Sequence, residues 1–308
     1  MTRVIGASLL GVDGVAVEVE VRLSSQLPRI DIVGLPEAAV RESAARVRAA
    51  IASVGQRFPD RRITVNLAPA NLRKSGAALD LPIAVGILAA SGAIDSQRLQ
   101  MLGLLGELAL DGRLRHVRGA LALTLAARDA GSRCVIVPTE NGPEAALTPG
   151  VQVFEAADLG GVLRHLAEDA ALPRAVAATP EPPNQRIPDL ADVRGQERAK
   201  RALEVAAAGG HSIFLWGSPG SGKTMLARRL PGFLPAMEFA EAIEVTRIHS
   251  AAGLLESASP IAVDRPFRAP HHTTSSAGLL GGGNPPSPGE VSLAHRGVLF
   301  LDELAEFQ

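Results

Sequence analysis

SIFLWGSPGSGKTMLARRLPGFLP, residues 212–235, is the stretch from which the rest of the chain is read. Ser212 to Trp216 predict a buried strand, and Lys223 to Pro235 predict a helix. Between them Gly217–Thr224 matches G-x-x-x-x-G-K-[ST]. The order strand, glycine turn, helix predicts a parallel α/β sheet. Each turn position has a physical task. Glycines let the backbone wrap so that successive N–H groups point inward at phosphate oxygens. Lys223 is expected to reach the β- and γ-phosphates, Thr224 to hold Mg2+ by its hydroxyl, and the helix start to add positive potential. The expected nucleotide-binding residues are Gly217, Ser218, Pro219, Gly220, Ser221, Gly222, Lys223, Thr224 and Met225. Lysine is rare in this chain (Lys74, Lys200 and Lys223 are all it has), so a chance match is improbable.

Downstream, GVLFLDELAEFQ (residues 297–308) carries an apolar run into Asp302 and Glu303. Alone, such a run reads as a strand ending in a solvated turn. With a phosphate loop upstream, Asp302 is expected in the Mg2+ shell and Glu303 as the general base that orients or activates water. Catalysis is thus expected from Glu303, Asp302 and Lys223, with ATP and Mg2+ as cofactors and hydrolysis as the reaction. Trp216, at the end of the first strand, is expected to be packed, and Arg228 and Arg229 to be solvated.

The stretch between the motifs contains FRAPHH, Phe267 to His272. Arg265, Arg268, His271 and His272 allow three readings: a metal site, a contact with DNA phosphate, or a structured insert bracing the nucleotide core. Adjacent histidines rarely face one metal, and no Cys or acid stands at ligand spacing. GGGNPPSPGE, which follows, predicts a loop, with Glu290 as a possible helix cap.

Upstream, residues 171–190 hold five prolines without apolar periodicity and predict an extended linker. It separates an α+β region, residues 1–170, from the α/β region 191–308. In the first region Gly14–Leu23 alternates as a half-wet strand, and Leu35–Gly55 reads as a helix with Pro36 in its first turn. RITVNLAP and CVIVP are strands, and LGELAL is a strand turning at Asp111-Gly112. LDLPIAVGILAASG is a buried helix, and GALALTLAARDAG another helix. GQERAKRALEVAAAGG opens the second region as a helix.

Composition is that of a globular protein, 46% hydrophobic and 20% charged, and a formal net charge of −1 gives no whole-chain attraction to nucleic acid. The single cysteine, Cys134, excludes an internal disulfide framework and sits in an apolar run as an expected buried thiol. The N-terminus is broken by Gly and Asp, unlike a signal peptide, and no run of about 18 apolar residues occurs. A cytoplasmic location without membrane contact is expected.

Two long segments, DVRGQERAKRALEVAAAGGHSIFLWGSPGSGKTMLARRLPGFLP and RPFRAPHHTTSSAGLLGGGNPPSPGEVSLAHRGVLFLDELAEF, closely resemble the magnesium-chelatase-like AAA+ ATPases. GLPEAAVRESAARVRAAI and RITVNLAPANLRKSGAALDLPIAVGILAASG narrow the resemblance to the ComM (YifB) type, over essentially all 308 residues. The resemblance implies a Lon-protease-like α+β domain followed by a P-loop AAA+ α/β domain. It also implies hexameric, ATP-dependent rings that act on DNA, branched or single-stranded, as branch-migration helicases in recombination during natural transformation. Magnesium chelatase itself uses the same ATPase to remodel a protein complex, and that alternative stays open. So does a non-enzymatic ATP-binding fragment.

Lon-type proteases carry their nucleophilic Ser in a K-D-G-P-S-A-G segment and a Lys on a later helix. The matching positions here are Ala78 and Leu121, and Ser75 is out of register, so no peptidase activity is expected. The resemblance further places a polar sensor, an arginine finger and a helical lid beyond Gln308. Residues 1–308 are therefore expected to bind ATP but to hydrolyse it slowly and not to form a stable hexamer.

Overall fold

A computed structural model describes residues 1–179, 188–255, 260–284 and 286–307. The chain divides into two compact units, Met1–Ala178 with His249–Pro260, and Thr179–Ile248 with Ile261–Gln308.

The first unit begins with strands β1 (Thr2–Leu10), β2 (Asp13–Ser24) and β3 (Arg29–Val33), helix α1 (Ala38–Ser53) and strand β4 (Arg62–Ala68). Helix α2 (Asp80–Ala90) and strands β5 (Leu102–Leu104), β6 (Glu107–Leu108) and β7 (Leu114–Arg115) follow. It continues with α3 (Ala120–Asp129), β8 (Cys134–Pro138), α4 (Gly142–Ala145), β9 (Gln152–Ala156) and α5 (Leu159–Leu166). Seven strands form one mixed sheet in the order β3-β4-β2-β1-β5-β8-β9. β2 runs antiparallel to both β1 and β4, and the other neighbouring pairs are parallel.

Alternation along β2 works as expected: Val17, Val19 and Val21 are buried, while Glu18 on the other face pairs with Arg3 of β1 at 3.1 Å. β8 is apolar on both faces because both are covered. Ile136 joins the core built with α1 and α2, and Val135 and Val137 join the core built with α3. Helix α2 is buried from Asp80 to Ala89, and its single charge is answered. Asp80 accepts from Ser43 Oγ, from Arg46 Nε at 2.6 Å and from Leu108 N at 3.2 Å. That carboxylate raises the pKa of the Arg46 guanidinium and ties α1 to α2 and β6. Glu144 is also buried, accepting from Leu121 N at 2.8 Å and Ser250 Oγ at 2.5 Å. Burial pushes its carboxyl above the usual range.

Several expectations change here. Helix α1 starts at Ala38, not at Leu35. Pro36 instead bridges to Lys74, whose ammonium is buried and donates to the carbonyls of Gly34, Pro69 and Leu72. The linker's first part is not free: Glu155 N donates to Pro173 O, Ala175 N to Val153 O and Ala178 N to Pro143 O. An extended Pro-rich segment can add to a sheet edge because its remaining N–H groups still find acceptors. Residues 180–187 of the expected linker lie outside the described residues. Cys134 is half-buried, not fully buried. Ala78 and Leu121 are packed in the interior, and Ser75 Oγ donates to Leu9 O at 3.1 Å.

The second unit holds α6 (Glu197–Gly209), α7 (Lys223–Ala227) and most of α8 (Phe239–Ala252). Strand β10 (Phe267–Arg268), α9 (Ser276–Leu280), β11 (Gly281–Gly282), β12 (Ser287–Pro288), α10 (Glu290–Leu293) and β13 (Val298–Leu299) complete it. Its small core gathers Leu190, Val193, Leu203 and Leu226, with Ile213, Leu230 and Phe233 packed against them.

The parallel sheet expected here is reduced to one pair: β10 runs parallel to β13. Ser212–Trp216 is not a strand, since it forms no ladder with another segment among the described residues. Phe214 and Trp216 are accordingly exposed, Trp216 by 91%, where packing was expected. The helix expected to run to Pro235 stops at Ala227 and continues as a 3-10 turn, Leu230–Phe233. Pro231 lacks the N–H that an α-helix would need there. GGGNPPSPGE, expected as a loop, contains the β11–β12 hairpin pair. No helix among the described residues is long and apolar enough to cross a membrane.

Candidate nucleotide site

The glycine turn leads from the exposed Ser212–Trp216 segment into α7. Gly220 and Gly222 both have positive φ, +77° and +88°, which side-chain-bearing residues rarely adopt. A Cβ at Gly222 would also meet Gln196 Nε2 at 3.1 Å. Gln196 itself donates to Ser221 O at 3.0 Å, bracing the loop from the residue just before α6. No motif singles out that glutamine.

Lys223 folds back over the loop, its ammonium donating to Gly217 O at 3.0 Å and Ser218 O at 3.1 Å. Pro219 and Ser221 lie within the same turn, and Met225 is one residue past Thr224 on α7. Met225 O accepts from Arg229, whose Nε also donates to Asp189 O, so Arg229 is engaged where a solvated side chain was expected.

The acidic pair reaches this loop from β13. Thr224 Oγ1 donates to Asp302 Oδ2 at 2.8 Å, joining positions 78 residues apart in sequence. Glu303 follows at φ 53°, a left-handed conformation that is uncommon for a non-glycine residue. A cavity of about 1150 Å3 is lined by the loop, by residues 211–217 and by 297–306, with His272 on its wall.

Two side-chain oxygens this close can share one small cation. Mg2+ takes oxygen ligands at about 2.1 Å in an octahedron, whose edge is about 3 Å, and keeps several waters or phosphate oxygens besides. The Thr224 hydroxyl and the Asp302 carboxylate are oxygen donors of the kind that would hold it. Among the described residues no cluster of three His, Cys, Asp or Glu could hold a metal alone.

β10 brings the FRAPHH segment to the same place. Arg268 Nε and Nη2 contact the two carboxylate oxygens of Glu290 at 2.6 and 2.7 Å; the pair lowers the glutamate's pKa and raises the arginine's. Glu290, whose role the sequence left open, is the first residue of α10 and the ion-pair partner of Arg268. Arg265 donates to Glu241 at 2.8 Å and to the carbonyls of Pro235 and Arg296. The carboxyl of Glu241 lies below its usual range, chiefly because it accepts from Glu238 N and then because of Arg265. Arg296 and His295 hold Glu244 down to about 2. Both FRAPHH-region arginines are thus held within the unit. Gly297, just before β13, permits the close approach: a Cβ there would lie 2.1 Å from Pro266 O.

A glycine loop ending in Lys-Thr, its threonine bonded to the acid at the end of a paired strand, is the arrangement of a P-loop α/β domain. Comparison with known proteins gives the same class more closely. The family described as "Magnesium chelatase, subunit ChlI" matches residues 189–308, and "Subunit ChlI of Mg-chelatase" matches residues 19–141. An uncharacterized protein of Mycobacterium tuberculosis H37Rv is 47% identical over 305 residues, 99% of this chain and 60% of that protein. YifB of Escherichia coli K12 is 46% identical over 97% of this chain and 58% of its own length. Competence protein ComM of Haemophilus influenzae is 45% identical over 97% of this chain and 59% of its own. The chain belongs to the ComM/YifB-type family of magnesium-chelatase-like proteins, and it spans about 60% of the length of the relatives it matches.

Proposed function

We propose that the second unit binds Mg·ATP and hydrolyses it, and that the protein of which it is part is a DNA-directed motor. The observation that carries this reading is the 2.8 Å bond between Thr224 and Asp302, which brings together a hydroxyl and a carboxylate that would hold the cation of Mg·ATP. When bound, Mg2+ supplies charge neutralisation at the phosphates. The chain's own residues do the rest. Gly217–Gly222 wrap the phosphates with backbone N–H groups, and Lys223 exchanges its two loop carbonyls for phosphate oxygens. Asp302 orients the metal's shell, and Glu303 accepts a proton from the attacking water.

For the motor's substrate the names of relatives lend support to two readings. One relative is named a competence protein, which supports DNA as the substrate; in this reading a hexameric ring in the cytoplasm acts on branched or single-stranded DNA as a branch-migration helicase. The matched family descriptions name a chelatase subunit, which supports a second reading, a motor remodelling a protein complex. ATP turnover stimulated by branched DNA favours the first, and turnover indifferent to DNA the second.

Isothermal titration with Mg·ATP tests the site. Lys223→Ala should abolish binding or weaken it severely, and unchanged affinity would defeat the assignment. Asp302→Asn should weaken the Mg2+ dependence more than nucleotide contact itself. The 308-residue chain should leave unfolded casein intact, and cleavage abolished by Ser75→Ala would place a nucleophile where none is proposed.

A further inference from the structure

We infer that one face of the first unit's sheet, at the end where β3 and β4 begin and β2 finishes, binds the phosphate backbone of single-stranded DNA. The choice of DNA among polyanions with that backbone rests on the motor reading above. Register defines the face. Across the neighbouring strands β2, β4 and β3, Arg22 stands opposite Thr64, Thr64 opposite Asp31, and Arg62 opposite both Ser24 and Arg29. Val21, Ile63 and Val65 of the rows between are buried in the core beneath α1 and α2, so alternation puts Arg22, Arg29 and Arg62 together on the other face. Helix α3 packs over the opposite end of β2, where a Cβ on Gly14 would lie 2.1 Å from Ala122 O. At the arginine end the face is open: Arg22 is exposed, and the Arg29 side chain, on the edge strand, is 73% exposed.

Charge is unbalanced at this end. Asp31 serves two guanidinium groups, Arg29 Nε at 2.7 Å from Oδ1 and Arg62 Nη2 at 2.9 Å from Oδ2. One carboxylate between two arginines leaves a net positive charge and unused N–H donors. Arg22 adds a third guanidinium, which has no ion pair among the described residues. The loop that feeds β4 adds Arg57 and Arg61, both exposed and also without an ion pair among the described residues, beside a single acid, Asp60. Glu20, further along the face, is already engaged by Asn66 at 2.8 Å and Arg3 at 3.6 Å. Five arginines therefore meet two aspartates here, in a chain whose formal net charge is −1. Guanidinium forks match phosphate oxygens, and three adjacent strands present them to an extended polyanion. Phe58 of the same loop is packed against the core under Arg48, 5.2 Å from its ring, and offers bases no stacking platform. The contact thus reads phosphate and not sequence.

Fluorescence anisotropy of labelled single-stranded DNA, titrated with the 308-residue chain without nucleotide from about 50 to 200 mM salt, is the test. Oligonucleotides of different sequence should bind alike. Arg22→Ala combined with Arg61→Ala should weaken binding about 10-fold and flatten the slope of log K against log salt by about 1.4, about 0.7 for each lost phosphate contact. Arg41→Ala removes an equally exposed charge from α1, on the covered face, and should change neither quantity. All these variants should melt with the parent, since none of the three side chains has an ion pair to lose. Lys223→Ala should bind DNA as the parent does; loss of binding there would put the DNA in the nucleotide loop and overturn the inference. An unchanged slope in the double variant overturns it too. Polyglutamate bound through the same arginines while DNA is not would make the partner an acidic protein, and a parent that binds neither leaves the face without a ligand; both outcomes overturn it. In each case the motor reading is decided separately, by turnover of ATP with and without branched DNA.

Discussion

The first unit is held by one sheet of seven strands, buried on one face along β2 and β4 and on both along β8; the second carries its candidate chemistry on a strand pair two residues long. In the first, nearly every apolar side chain of β2, α2 and β8 is spent on burial. In the second, Phe214 and Trp216 are exposed, and a small cluster around Leu203 and Leu226 supplies the core. The difference separates two uses of sequence. Periodicity builds the scaffold, while short motifs on loops place groups that meet small charged ligands. Substitutions in the core of the first unit should therefore be read as stability, and those in the second chiefly as ligand response.

Asp80→Ala should have the largest effect. It removes one partner of a buried charge pair and leaves Arg46, Ser43 and Leu108 N unanswered, costing about 3–5 kcal/mol. Urea unfolding followed by circular dichroism measures this, and a cost below about 1 kcal/mol would show that the sheet unit does not depend on its polar knot. Gly297→Ala comes next. Its Cβ must push β13 away from Pro266, costing roughly 1–3 kcal/mol as overpacking does. If the comparison holds, this change weakens Mg·ATP binding measured by titration more than it lowers overall stability.

Glu144 sharpens the contrast through pH. Its folded pKa is raised, so the stability linked to its proton is fully present below the ordinary carboxylate range and is lost as pH rises through the raised value. Glu144→Gln keeps an oxygen to accept from Leu121 N and Ser250 Oγ without the buried charge. At pH 8 it should melt ~2–4 °C higher than the parent, and the gap should close toward pH 4. A variant that melts lower at every pH would mean that the carboxyl is ionised and needed.

The smallest effect belongs to the second unit's surface. Glu244 is held down to about 2, first by Arg296 and then by His295, so any stability it lends is present above its ordinary range and lost as pH falls toward that value. Arg296→Ala should move the glutamate's NMR titration midpoint up toward 4.5 and leave the neutral-pH melting temperature nearly unchanged.

What the sequence disclosed follows the same division. β2, β4, α2, α3 and β8 were legible because local periodicity determines which face is buried, and Gly217–Thr224 because the motif prescribes its own backbone. Ser212–Trp216 misled because an apolar run becomes a strand only when another segment supplies its ladder. The docking of Pro173–Ala175 on β9 was hidden by proline content, which speaks of stiffness and not of edge pairing. FRAPHH left three readings open because its meaning depended on register: Arg268 meets Glu290 and His272 meets Glu303 only once β10 lies beside β13. Gln196 bonding Ser221 O is a contact that no spacing rule announces.

The exposure of Trp216 gives the molecule a built-in optical reporter. It is the only tryptophan, and there is no tyrosine, so nearly all ultraviolet emission comes from the residue that touches Gly217 along the chain. An indole this open to water emits at long wavelength. Any event that orders the phosphate loop or lays a strand alongside residues 212–216 should shift that emission blue without a label, so the light reads one peptide bond away from the proposed binding loop.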